Sequence, residues 1–252
     1  MLISPLAILK SSLELFKKHS GIFLKYSAVI FIPSFILMIV QYSLSYFILF
    51  LGNAFLAFAL YLFLSLSISL ASIWISLSLI KTIAKIYENQ LPNFSESFNQ
   101  TANSILSSIW AYVLIFLAVF GGLILFIIPG IIFAIWFSFA IQAVVLDEKK
   151  GVESLKQSKK LVEKRWWQTF WRIFIPALFF TLIIVIFEWF FALILGVKDE
   201  TVLNLPTFIY LVLIMILSSF VTPFATSAMT ILYLELKKNP VKKELVDESL
   251  TN

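Results

Sequence analysis

Apolar runs longer than about 18 residues recur along this chain, a length that at 1.5 Å per helical residue matches the hydrocarbon thickness of a bilayer. Of its 252 residues 61% are hydrophobic, 27 of them Phe, and only 13% are charged. A soluble domain carries about a quarter charged residues, and one soluble core of this size has no room for so much Leu, Ile and Phe. Lipid is the solvent that accounts for the excess. Inside lipid every backbone N–H and C=O must find its partner within the segment, which helices achieve. The short alternating strands of a membrane barrel are absent from the pattern.

Six spans are expected. The first, 26–50, is closed by Gly52-Asn53, residues that tolerate left-handed turn conformations. The second, 54–80, ends at Lys81, Lys85 and Glu88. The third and fourth share one apolar stretch, 105–146, too long for a single crossing, with two candidate bends at Gly121-Gly122 or Pro129-Gly130. Pro-Gly is the stronger turn signal of the two. The fifth covers 174–195, and the sixth covers 207–234 with Pro223 as an internal kink.

Charge supplies an orientation. One set of loops holds Gly52-Asn53, the 129–130 turn and 196–206, where Lys198 is the only basic residue. The N-terminus, the 87–108 and 147–172 connections and the C-tail form the other set, and 18 of the 19 Lys and Arg lie on or beside it. Basic residues are retained on the cytoplasmic side, so both termini are expected in the cytoplasm, with the chain in the inner membrane. Tyr26, Tyr87, Trp110, Trp166, Trp167, Trp171 and Tyr233 fall near the same boundary, where amphipathic rings prefer to sit. The net charge of +5 is therefore topological, and nucleic acid is not an expected partner. The first apolar stretch is short, runs into Lys10 and lacks a small-residue cleavage site, so no cleavable leader is expected.

An amphipathic stretch precedes each pair of spans. In 4–21, Ser4 reads as an N-cap, Pro5 as the first helical residue and Gly21 as a C-cap, with Leu6, Leu9, Leu13 and Phe16 on one face. In 93–108, Phe94, Phe98, Ala102 and Ile105 share a face. In 152–165, Val152, Leu155 and Val162 lie opposite Lys156, Lys160 and Lys164. A short helix with one apolar and one basic face suits an anionic leaflet, so Lys156, Lys160, Lys164, Arg165, Trp166 and Trp167 are the expected lipid-headgroup contacts. The expected fold is all-α and integral to the membrane: three hairpins (4–80, 93–146 and 151–236), each introduced by a cytoplasmic-face amphipathic helix, in one membrane domain with a polar tail over 237–252. Phe31-Ile32-Pro33 and Phe174-Ile175-Pro176 match between the first and third units. Either the chain is a parallel repeat about an axis normal to the membrane, or the bilayer has imposed the same pattern on unrelated hairpins.

Polar residues at membrane depth are the candidate sites. Ser65, Ser69, Ser72 and Ser76 share a face of the second span, as do Ser219, Thr222, Thr226 and Thr230 in the sixth. Small hydroxyl residues let helices approach closely, which makes a packing stripe, or they line a polar path. Glu188 sits roughly 10 Å from the end of the fifth span, where an ionisable group is costly and points by default to proton exchange or cation coordination, or is protonated and structural. Gln41 and Gln142 suit interhelical hydrogen bonds. With no cysteine and one histidine, His19, thiolate sites and multi-histidine metal sites are excluded. No cofactor is expected. No paired carboxylates at membrane depth, nucleophile triad or phosphate-binding Gly-rich loop appears, and Asp147-Glu148 reads as a solvated turn. The chain is therefore not expected to be an enzyme. The leading expectation is a membrane-embedded binding or scaffold protein that contacts anionic lipid. The alternative is a small transporter or channel built on Glu188 and the Ser and Thr stripes.

The segment 128–174, IPGIIFAIWFSFAIQAVVLDEKKGVESLKQSKKLVEKRWWQTFWRIF, runs Pro-Gly, apolar helix, acidic turn, then a Ser-Leu amphipathic helix ending in a basic-aromatic cluster. Pro129, Gly130, Asp147, Glu148, Ser154, Leu155, Ser158 and Trp167 carry this pattern, and Pro223 with Leu232-Tyr233-Leu234-Glu235-Leu236 extends it. It resembles a broad, uncharacterised group of bacterial and archaeal multi-pass proteins that includes the membrane domain of glycerophosphoryl diester phosphodiesterases. In those enzymes the resemblance places hydrolysis in a separate soluble barrel, for which six spans leave no room here. Phosphodiesterase activity is not carried over.

Overall fold

A computed structural model of the chain describes residues 2–197, 199 and 204–240. Lys198, and the expected tail beyond residue 240, lie outside the described residues. Among the described residues there is no strand. The helices are α1 Pro5–Lys18, α2 Ser20–Leu51, α3 Ala54–Tyr87, α4 Phe94–Ala102, α5 Ile105–Leu125, α6 Ile127–Trp136, α7 Ala140–Asp147, α8 Val152–Val162, α9 Trp166–Leu195 and α10 Leu205–Lys238, with a 3-10 turn at Glu163–Arg165. Among them are six stretches long and apolar enough to cross a membrane, the α6–α7 and α8–α9 pairs each counting as one. The chain thus has the make-up of a multi-pass membrane protein.

Local chemistry explains most boundaries. The Ser4 hydroxyl accepts from Ala7 N at 3.2 Å, and Pro5 follows at the first helical position. Gly21 is not the end of this helix. The break falls at His19, whose N–H bonds Leu15 O while its own C=O accepts from Ile22 and Phe23, so α2 starts at once and Gly21 lies inside it. At the other end of α2, Gly52 adopts the left-handed conformation (φ 59°), and Asn53 caps α3 through its side-chain oxygen on Leu56 N, 3.1 Å.

The bend between α5 and α6 falls at neither expected dipeptide. Phe126, in extended conformation (φ −163°, ψ 153°), makes the turn alone. Gly122 and Gly130 serve the crossing instead. A Cβ on Gly122 would lie 3.0 Å from Gly130 Cα, and one on Gly130 would lie 2.5 Å from Leu123 Cγ. Glycine is there because two helix backbones touch. The fourth crossing is itself broken between α6 and α7. Ser158 of α8 bridges the gap, its hydroxyl accepting from Phe139 N (3.0 Å) and donating to Trp136 O (2.6 Å).

The buried residues gather toward one end. In α3, Ile75, Leu77–Ile80, Ile83, Ala84 and Ile86 are buried, whereas among residues 54–74 only Ala57 is. In α10 the buried run is densest from Ser227 to Leu236. α10 lies at the centre of this packed end, in contact with α1, α2, α3 and α9, while α5 packs on α6 and α7. The same end carries α1, α4 and α8 and the lysines; we call it the basic end. Toward the other end Phe55, Phe58, Phe63 and Leu66 of α3 are exposed.

Candidate site at the basic end

Asp147 closes α7. The next residue, Glu148, is left-handed (φ 55°), and the Lys149 N–H returns to Ala143 O at 3.2 Å, the bond that ties off orphaned carbonyls at a helix end. Asp147 is not in a solvated turn. Its side chain is only 8% exposed, with Oδ1 2.6 Å from Lys237 Nζ and Oδ2 accepting from the Tyr233 hydroxyl at 2.7 Å. Two α10 side chains, Tyr233 and Lys237, hold it there, and the lysine compensates its charge. Arg165, expected at lipid headgroups, is likewise buried. Its guanidinium donates to Leu161 O (2.8 Å), Leu236 O (2.7 Å) and Asn239 O (2.6 Å). A planar fork of donors is suited to the unpaired carbonyls at the end of α10. Tyr87 donates to Glu235 at 3.0 Å beside it.

A second polar knot holds α4 on α2 and α3. The hydroxyl of Tyr26 lies 2.6 Å from Ser78 Oγ and 2.7 Å from Thr82 Oγ1, and Thr82 donates to Ser97 at 2.8 Å. Tyr26 and Tyr233 are therefore buried hydrogen-bonding groups and not part of an interfacial belt; Trp110, Trp167 and Trp171 are exposed. Lys85 sits 2.8 Å from Glu96, and this hydrogen bond and charge hold the Glu96 carboxyl below the usual carboxylate range.

Between these knots opens a cavity of about 430 Å³. Lys81 reaches it from α3, Gln100 from α4, Ser104 and Ser107 from the start of α5, and Lys149 and Lys150 from the loop after α7. Val144 and Val145 form an apolar wall, and Glu148 is the one carboxylate in the lining. No ion pair is recorded for Lys81, Lys149 or Lys150 among the described residues, whereas Lys85 and Lys237 each have a carboxylate. Gly151 fixes the loop. Its φ of 51° with ψ −124° excludes side chains, and a Cβ there would stand 3.1 Å from the Trp110 ring. Next to the cavity, α8 turns Ser154, Leu155, Ser158, Leu161 and Val162 inward and exposes Lys156 and Lys160, with Lys164 exposed just beyond. Val152, expected on one apolar face with Leu155 and Val162, is exposed, as are Leu6 and Leu13 of α1; Leu9 of that expected α1 face is buried, together with Ile8 and Ser12. Lys159 lies 4.3 Å over the Trp136 ring.

Among the described residues, no recorded hydrogen bond joins Glu188, Gln41 or Gln142 to one another or to either stripe. Glu188 is half-buried on α9, with no hydrogen bond or ion pair recorded among the described residues. Gln41 is exposed on α2, and Gln142 is buried in α7 with its Oε1 unpartnered. Ser69 and Ser72 are exposed, Ser65 and Ser76 half-buried; the hydroxyls of Ser69, Ser72 and Ser76 donate to the carbonyls four residues back. Ser219 and Thr230 are buried and Thr222 and Thr226 half-buried; Ser219, Thr222 and Thr226 also donate within α10, and the Thr230 hydroxyl is unpartnered. No recorded hydrogen bond joins one stripe to the other. Trp166 is half-buried, with Nε1 unpartnered. Among the described residues no group of three or more Asp, Glu or His side chains gathers as a metal ion requires. Reading the sequence missed Lys81, Lys149, Lys150, Ser104 and Ser107. Their signal is the lysine pair following Asp147-Glu148, which the charge asymmetry of the loops also explains.

No curated protein and no solved structure matches the chain. Residues 13–236, from within α1 almost to the end of α10, match the family described as Domain of unknown function (DUF7847). Because the match takes in α2 to α9 entire, including every helix around the cavity, the chain belongs to that family.

Proposed function

We propose that the chain is a non-enzymatic multi-pass protein of the inner membrane, with both termini cytoplasmic, whose basic end binds anionic lipid. In this reading α2–α3, α5 to α7, and α9–α10 are three hairpins, and α1, α4 and α8 are the interfacial helices that introduce them. The observation that carries it is α8. One face of this helix is buried, with Leu155, Leu161 and Val162, while Lys156 and Lys160 project from the other and Lys164 follows. A helix pinned in this way holds its charges at a fixed height, where each lysine adds about 1 kcal/mol of attraction to an anionic surface. Kinship with the membrane domain of glycerophosphoryl diester phosphodiesterases belongs to the same reading. Two residues of the shared pattern support it by having structural work: Ser158 bridges the α6–α7 break, and Asp147 binds Tyr233.

The test is lipid retention by the detergent-purified full chain, read by native mass spectrometry with anionic and zwitterionic lipids of matched acyl chains. Anionic lipid is expected to be enriched, and the combined Lys156→Gln, Lys160→Gln and Lys164→Gln variant to lose most of that enrichment. Equal retention of both lipids by the unaltered chain rejects the proposal. One observation favours transport as a second reading: Glu188, at membrane depth, has no recorded partner. On that reading Glu188→Gln abolishes proton or cation flux through reconstituted vesicles; flux unchanged by the substitution rules it out.

A further inference from the structure

The cavity between α3, α5 and the loop after α7 carries charge that the protein leaves uncompensated. Lys81, Lys149 and Lys150 converge on a space of about 430 Å³ from two separate elements, with no recorded carboxylate partner among the described residues. Lys81 is half-buried and Lys149 and Lys150 are exposed at the rim; ammonium groups brought to one space repel one another. Such an arrangement persists at low cost when an anion fills the space. Glu148 lines the cavity as well, so three positive charges and one negative leave a local charge of +2. Glu96, the nearest other acid along α4, is already engaged by Lys85 at 2.8 Å. The uncharged lining agrees. Ser104, Ser107 and Gln100 offer hydroxyl and amide donors. Ser104 stands at the N-cap of the 21-residue α5 without using its side chain as a cap, so its hydroxyl, at the positive end of that helix, lines the same space. The loop backbone is also defined: Glu148 and Gly151, both with positive φ, bracket Lys149 and Lys150 and shape the turn that carries them.

We propose that this cavity binds a doubly charged phosphate group, the phosphomonoester of a lipid headgroup or free inorganic phosphate, through Lys81, Lys149 and Lys150 with Ser104 and Ser107. A phosphomonoester near neutral pH carries close to two negative charges, matching the local +2, whereas a phosphodiester carries one. Val144 and Val145 supply the apolar wall against which the glycerol end of a lipid would rest. The inference rests on the anion-binding reading proposed above but places the selective site in the cavity, apart from the exposed lysine face of α8.

The experiment measures binding to the purified full chain of three lipids with identical acyl chains: zwitterionic, singly charged phosphodiester and phosphomonoester. A parallel arm uses inorganic phosphate against chloride at equal ionic strength. The phosphomonoester lipid is expected to bind about tenfold more tightly than the phosphodiester lipid. Lys149→Gln with Lys150→Gln is expected to remove that preference, and Lys149→Arg with Lys150→Arg to retain it, which separates charge from fold. The Lys156→Gln, Lys160→Gln and Lys164→Gln variant is expected to weaken both anionic lipids equally and keep the preference. Displacement of the phosphomonoester lipid by inorganic phosphate supports a phosphate site whose occupant is the soluble anion. Preference without displacement supports the lipid. Equal affinity for the two anionic lipids, with no stabilisation by inorganic phosphate, overturns the inference while leaving the anionic-lipid role standing. Equal affinity for all three lipids overturns that role, and the cavity is then judged on inorganic phosphate alone, where failure to bind overturns it too.

Discussion

Ser158 is buried where two helix ends meet, and its one hydroxyl serves both a donor and an acceptor of the broken α6–α7 backbone. Removing the hydroxyl leaves the Phe139 N–H and the Trp136 carbonyl unpaired in a dry interior, a loss of about 1–3 kcal/mol. Ser158→Ala is therefore expected to lower the thermal unfolding midpoint in detergent, with Gln157→Ala, one residue away and half-buried, affecting it less. Glu96 answers to pH. Its carboxyl is held below the ordinary 4.5 by Lys85, so the unfolded chain takes up the proton first as pH falls. The contribution is complete above the ordinary value and is lost as pH drops through the lowered one. Hydrogen exchange of α4 amides is expected to quicken over that acid range, and Glu96→Gln to abolish the pH dependence. Neither role was visible in the sequence: Ser158 acts on a helix break that only the packing of α8 reveals, and Glu96 on a lysine eleven residues back across a turn.

Helices were the legible part of this chain, because hydrophobic length and the caps Ser4, Gly52 and Asn53 are local signals. What was not legible depended on contacts between elements. Gly122 and Pro129-Gly130 look like turn punctuation, yet the turn is at Phe126 and the glycines belong to the α5–α6 crossing. A sequence records that a residue is small, and tertiary structure decides whether smallness serves the bend or the contact. Gly122→Ala tests the assignment. Its Cβ would meet backbone at 3.0 Å, which no side-chain rotation relieves; overpacking of this kind costs about 1–3 kcal/mol. Gly121→Ala, whose Cβ would meet nothing within 4 Å, is expected to be neutral or slightly stabilising in the same unfolding measurement. Similar losses at both positions would show that the crossing is not tight.

For the molecule as a whole, orientation in the membrane is open to a direct experiment because the chain has no cysteine. Ala54→Cys at the start of α3 and Ser95→Cys in α4, beyond the far end of α3, place single thiols at exposed positions. With intact cells, a membrane-impermeant maleimide is expected to label Cys at 54 and to spare Cys at 95 until the membrane is opened; the reverse pattern would sink the cytoplasmic placement of the basic end. Charge counting reaches this far and no further. It sums lysines, but it cannot tell Lys85 and Lys237, which are paired, from Lys81, Lys149 and Lys150, which converge on a cavity. The concentration of buried side chains at that basic end has a further consequence. Along residues 54–74 most side chains of α3 are exposed to something other than protein, so in a bilayer acyl chains would complete its packing as solvent molecules complete a crystal lattice. The opposite half of the fold is thus a guest of its bilayer, and lipid chain length and order become terms in its stability just as temperature and denaturant are for a soluble domain.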